Sequence, residues 1–128
     1  MSFNEDSRVK IPAILHLCKL GYEYLSLKDQ TWNKYNIFSE ILFKNLKKIN
    51  NNIEDEKILN SISKLQLLLD NEDLGKDFYE TLVSNSNEIR FIDFDNIENN
   101  SFNVVTELTF KNDDEEFRPD ITILINGI

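Results

Sequence analysis

The chain has 128 residues, enough for one domain with a buried core. Hydrophobic residues make up 41% and charged residues 29%, the balance of a globular rather than a disordered chain. The formal net charge of -9 argues against a general phosphate-binding surface, and no run approaches the roughly 20 apolar residues of a membrane span. The opening "MSFNEDSRVK" lacks the basic-then-apolar order of a signal peptide, and the single Cys18 cannot form an internal disulfide. A cytoplasmic protein is the expectation.

Residues 5–20 carry apolar groups at Val9, Ile11, Ile14, Leu15, Leu17, Cys18 and Leu20, which predicts a mostly buried helix stopped by Gly21. Pro12 suits its first turn. "YEYLSL" (22–27) alternates as a short strand does, and "KDQTWNKYN" reads as loop. Phe38, Ile41, Leu42, Leu46 and Ile49 recur at helical spacing, and "INNN" ends that helix. Ile58, Ile62, Leu65 and Leu69 form a second stripe, with Glu54, Asp55 and Glu56 near the N-terminal dipole. Leu74, Phe78 and Leu82 predict a third short helix. Residues 36–84 therefore read as a helical block.

From about residue 88 to 128 the chain reads as sheet-forming. "EIRFIDF" and "FNVVTELTF" are rich in β-branched and aromatic residues, and "DITILI" is a further strand. Asp113–Glu116 reads as a solvated hairpin loop. The fold class expected is α/β, a single domain with helices covering a small mixed sheet.

Most chemistry-bearing residues have an ordinary structural reading. His16 lies on an apolar helix without a partner pattern, as a packed or surface histidine does. Cys18 reads as a small core residue. No glycine-rich phosphate loop is present, and no Ser-His-Asp or Cys-His spacing. Lys44, Lys47 and Lys48 read as a solvated helix face, although they could meet phosphate. Trp32 reads equally as a lid on the core or a stacking platform for a base. Glu107 and Asp120 stand apart, because each lies in a strand-like segment. If 102–110 pairs with 118–126, the two come close. Whether they share a face depends on register, and a one-residue slip reverses the answer. Two neighbouring carboxylates repel unless protonated or bridged by a cation, and Mg²⁺ would relieve that repulsion. Solvent-facing acids that guard an edge strand are the plainer alternative.

"IDFDNIENNSFNVVTELTF" followed by "RPDITILINGI" resembles the N-terminal region of the R (restriction and translocation) subunit of type I restriction enzymes. The family pattern is an Asn-x-Phe entry, a strand bearing Glu or Gln, Pro-Asp, an apolar strand and Asn-Gly-Ile. Here these are Asn100 to Phe102, Glu107, Pro119-Asp120 and Asn126-Gly127-Ile128. "EDSRVKIPAILHLCKLGYEYL" and "IFSEILFKNLKKIN" are similar to earlier parts of that family, with Glu5 and Arg8 in the opening motif. The resemblance implies a nuclease of the PD-(D/E)xK class, in which Asp120 would be the first Mg²⁺ ligand and Glu107 a second, less secure one. In the family, Asn-Gly-Ile leads to Pro-Leu, an apolar strand and Glu-x-Lys. The expectation is therefore an incomplete restriction-endonuclease-like domain that stops before its Glu-x-Lys strand.

Two functions follow as expectations. In the first, the chain is the start of the DNA-cleaving, ATP-dependent motor subunit of a type I restriction-modification system. Its partners would be double-stranded DNA and the methyltransferase and specificity subunits, with ATP bound elsewhere in the parent and no membrane involved; the fragment itself is expected to be inactive. In the second, the chain is a non-catalytic acidic docking module that contacts a partner subunit.

Overall fold

The computed structural model describes residues 10–32, 36–70, 73, 75–84, 89–112 and 115–128, the side chains of residues 29, 111 and 112 excepted. Glu5, Arg8 and Leu74 lie outside the described residues. The chain divides into two compact units. One joins the segment before Trp32 to Phe102–Ile125, and the other joins Trp32–Ser101 to Asn126–Ile128.

In the first unit, helix α1 spans Ile11–Lys19, with Pro12 in its opening turn. Its end folds back tightly: Gly21 N–H donates to Cys18 O at 3.1 Å and Tyr22 N–H to Leu17 O at 3.0 Å. Gly21 adopts a φ of 107°, the left-handed stop expected from the sequence. The expected burial of α1 is not found. None of its residues is fully buried, and Ile11 and Leu15 are 51% and 65% exposed. The helix packs on β1, which is only Glu23–Tyr24 and is too short to cover an apolar stripe. The expected strand 22–27 is cut to those two residues because Ser26 Oγ accepts the Lys28 N–H and starts a 3₁₀ turn, Leu27–Asp29.

The sheet is mixed, in the order β1-β2-β5. Strand β2 (Phe102–Thr106) runs parallel to β1 and antiparallel to β5 (Ile121–Ile125). The register pairs Phe102 with Ile125 and Thr106 with Ile121. Asn103, Val104 and Val105 are all buried, so consecutive residues on both faces of β2 are covered. The expected continuous strand 102–110 is interrupted. Glu107 takes a φ of 63°, unusual for a residue with a Cβ, and the chain leaves the ladder there. Phe110–Asn112 forms a separate strand, β3, paired with β4, Glu115–Phe117. Phe110 and Phe117 face each other across this hairpin, stacked at 5.1 Å. Glu115 and Glu116, expected in a loop, are therefore strand residues.

The second unit contains α2 (Ser39–Ile49), α3 (Asp55–Leu68) and α4 (Lys76–Val83). Helix α2 packs on α3, and α3 on α4. The predicted stripes form the core: Leu42, Leu46, Ile58, Ile62 and Leu65 are buried together with Ile37, Ile89 and Phe91. Each such aliphatic side chain contributes roughly 1.5–3 kcal/mol on burial. Helix α4 opens at Gly75 (φ 82°). The Asp73 carboxylate accepts N–H groups of Gly75 and Asp77 at 3.2 and 3.0 Å, which satisfies donors that a helix start leaves open.

The expected strand "EIRFIDF" (88–94) is absent over its described residues, 89–94. Residues 89–96 form bends instead, because side chains capture the backbone that a ladder would use. Asp93 Oδ1 accepts the N–H groups of Asp95 and Asn96 at 3.1 and 2.9 Å, and Oδ2 accepts Asn99 Nδ2 at 3.1 Å. Asn50 exchanges two 2.9 Å hydrogen bonds with the Arg90 backbone, tying the end of α2 to this segment. Among the described residues, no helix is long and apolar enough to cross a membrane.

Candidate active site

Glu107 and Asp120 come to the same end of one ladder. The last β2–β5 pair is Thr106 with Ile121, so the next position on each strand is Glu107 and Asp120. Asp120 lies immediately before β5 and is exposed. The left-handed turn at Glu107 ends the alternation that would have fixed its face.

The Glu107 carboxylate is held by two cations. Lys10 Nζ bonds Oε1, and Arg118 Nε lies 2.9 Å from Oε2. The hydrogen bond from Lys10 is the main cause of a carboxyl pKa held below the usual glutamate range, and the charges of Lys10 and Arg118 act in the same direction. Partial desolvation opposes them. Each oxygen is therefore already neutralised. A divalent ion at Glu107 would compete with the Lys10 ammonium and the Arg118 guanidinium for the carboxylate. Asp120, an exposed carboxylate on a strand start, does fit as one oxygen donor. Among the described residues, no group of three or more His, Cys, Asp or Glu side chains could hold a metal ion.

The remaining candidates resolve simply. His16 is exposed on α1. Cys18, read as a core residue, is exposed as well, because α1 buries no side chain fully. Trp32 stacks on the fully buried Phe38 at 5.5 Å, which favours the lid over the base platform. Lys44, Lys47 and Lys48 line a concave pocket with Phe43, Asn51 and Asn52.

What sequence reasoning missed is a buried amide cluster around the Asn-Gly turn. Asn126 is 0% exposed. Its Nδ2 donates to Phe91 O at 2.9 Å and to Asn100 Oδ1 at 3.0 Å, and its Oδ1 accepts Ser101 N–H at 2.7 Å. Ser101 Oγ in turn bonds Asn45 on α2 at 2.7 Å. Asn126 and Gly127 have φ of 55° and 84°, both positive as a type I′ turn requires. The turn signal was legible; the fixing of the turn was not. Gly127 O accepts Phe38 N–H at 2.8 Å, and a Cβ on Gly127 would meet Phe38 O at 2.8 Å. The only hint in the sequence was the number of asparagines between 96 and 103, which reads more readily as loop.

The family described as "Type I restriction enzyme R protein N terminus" matches residues 2–128. Two relatives come from Methanocaldococcus jannaschii. The protein named as the type I restriction enzyme MjaIXP endonuclease subunit is 31% identical over 150 residues, covering 98% of this chain and 14% of the relative. The one named as the MjaVIIIP endonuclease subunit is 34% identical over 130 residues, covering 88% of this chain and 12% of the relative. The chain thus spans about one-seventh or less of the length of these relatives. No solved structure matches. With the family match running along almost the whole chain, the protein belongs to the type I restriction enzyme R protein N-terminal family.

Proposed function

We propose that the chain is part of the nuclease portion of an ATP-dependent type I restriction subunit, and that Asp120 is one of the ligands of its Mg²⁺. The observation that carries this reading is the β2–β5 register. It sets the Pro-Asp acid at the mouth of a paired strand, at the same end of the ladder as Glu107. Mg²⁺ bound at Asp120 would neutralise charge on a scissile phosphodiester and lower the pKa of a bound water.

Glu107 acts on the same end of the ladder through its cations. By holding Arg118, two residues before Asp120, it fixes the approach to β5. A ligand role for Glu107 makes the opposite prediction for its partners. If Glu107 bound the ion, Lys10→Ala would strengthen Mn²⁺ binding by removing a competitor. If it anchors Arg118, Lys10→Ala and Glu107→Gln would weaken Mn²⁺ binding together.

The parent reaction is cleavage of double-stranded DNA after ATP-driven translocation, in a complex with methyltransferase and specificity subunits. In the full-length subunit within that complex, Asp120→Ala is expected to abolish cleavage and spare ATP hydrolysis. Retained cleavage would refute the assignment. The 128-residue chain by itself is expected not to cut DNA. The second reading, an acidic docking module, draws on the net charge of -9. Mn²⁺ binding that disappears in Asp120→Asn would exclude it as the sole role.

A further inference from the structure

We propose that the pocket at the C-terminal end of α2 is a docking site for the phosphate backbone of duplex DNA. The pocket measures about 460 Å³ and is lined by Phe43, Lys44, Lys47, Lys48, Asn51 and Asn52. None of the six is acidic, although the chain has 23 acidic and 14 basic residues. Three lysines thus line one concave surface, with Asp55 pairing Lys47 alone.

The arrangement carries an electrostatic cost. Lys44 stands three residues from Lys47 and four from Lys48, the spacings at which like charges on a helix repel. Lys47 and Lys48 lie in the last turn, where the helix dipole favours cations. That accounts for two of them and leaves Lys44 unexplained. Lys47 is paired with Asp55 and sits 6.0 Å from the Phe43 ring, so one ammonium is fixed at the pocket wall. Lys44 and Lys48 are exposed beside it. Asn51 and Asn52, with φ of 56° and 58°, turn the chain sharply after the helix and present two amides to the same hollow.

An anion held here would relieve the lysine repulsion and accept hydrogen bonds from the amides. An open hollow with several separate cations suits successive phosphates of a backbone, and it carries no base-edge reader, so binding is independent of sequence. The choice of duplex DNA over another polyanion rests on the nuclease reading above. The pocket's affinity for phosphate does not, because it is measured without cleavage.

The test is binding of a short fluorescent DNA duplex to the 128-residue chain, as a function of salt. The Lys44→Ala/Lys48→Ala variant is compared with Lys64→Ala/Lys76→Ala, which removes the same charge from exposed positions outside the pocket. The pocket variant is expected to bind on the order of tenfold more weakly at low salt, with the slope of log K against log salt reduced by about two. The control variant is expected to bind like the parent chain, and Lys44→Arg/Lys48→Arg to restore affinity. Absence of duplex binding by the parent chain would overturn the proposal. So would equal weakening in both double variants, and so would displacement of the duplex by low-millimolar inorganic phosphate, which would mark a small-anion site.

Discussion

The polar groups of the two units are spent in opposite ways. Around Asn126 they are neutral, buried and matched donor to acceptor, with each amide closing a backbone gap. At the end of the β2–β5 ladder they are charged, and Asp120 and Arg118 are exposed. Buried amides stabilise when their carbonyl and N–H groups find partners; removing one strands its partners. Exposed carboxylates add little to stability and remain available to a ligand. The contrast separates residues that hold the fold from residues that can carry chemistry.

That separation can be broken by substitution. The largest effect is expected for Gly127→Val. The φ of 84° and the 2.8 Å approach to Phe38 O combine backbone strain with overpacking, on the order of 4 kcal/mol in chemical unfolding. Asn126→Ala strands Ser101 N–H and Phe91 O and is expected to cost about 3 kcal/mol. A loss below about 0.5 kcal/mol, the level of a bland surface change, would show that the amide cluster is not structural.

Acid sharpens the comparison further. The Asn96 N–H and then the Asn99 amide hold the Asp93 carboxyl below the usual aspartate range, with Arg90 contributing less. A folded-state pKa below the unfolded one gives stability that is present above the ordinary carboxylate range and lost as pH falls through the lowered value. Asp93→Asn should therefore lower the melting temperature at neutral pH and flatten its decline in acid. Glu107 is lowered by Lys10 and Arg118 with the same sign. Glu107→Gln is expected to leave melting near that of the parent chain, because its pairs are partly solvated. An unchanged acid limb in Asp93→Asn would remove Asp93 from the account.

Periodicity carried the helices well. The stripes of α2 and α3 became the core because a 3.6-residue repeat needs only a facing helix to bury it. It misjudged α1, whose apolar groups meet a two-residue strand and are nowhere fully buried. β-propensity failed at residues 89–94, where Asp93 and Asn50 side chains take the backbone groups that a strand would pair. It failed again at Glu107, where one left-handed residue split a run of nine alternating positions. Hydrogen-bond capture and single-residue φ changes leave no periodic trace. The Pro-Asp and Asn-Gly signals survived because they are local. Asp120 stands at the mouth of β5, and Asn126-Gly127 makes the expected turn.

The most direct test sets Asp120→Asn in the full-length subunit beside the parent protein and measures DNA cleavage at a temperature where both are folded. The account predicts matching melting curves and no cleavage by the variant. Cleavage at the parent rate with unaltered melting would contradict it.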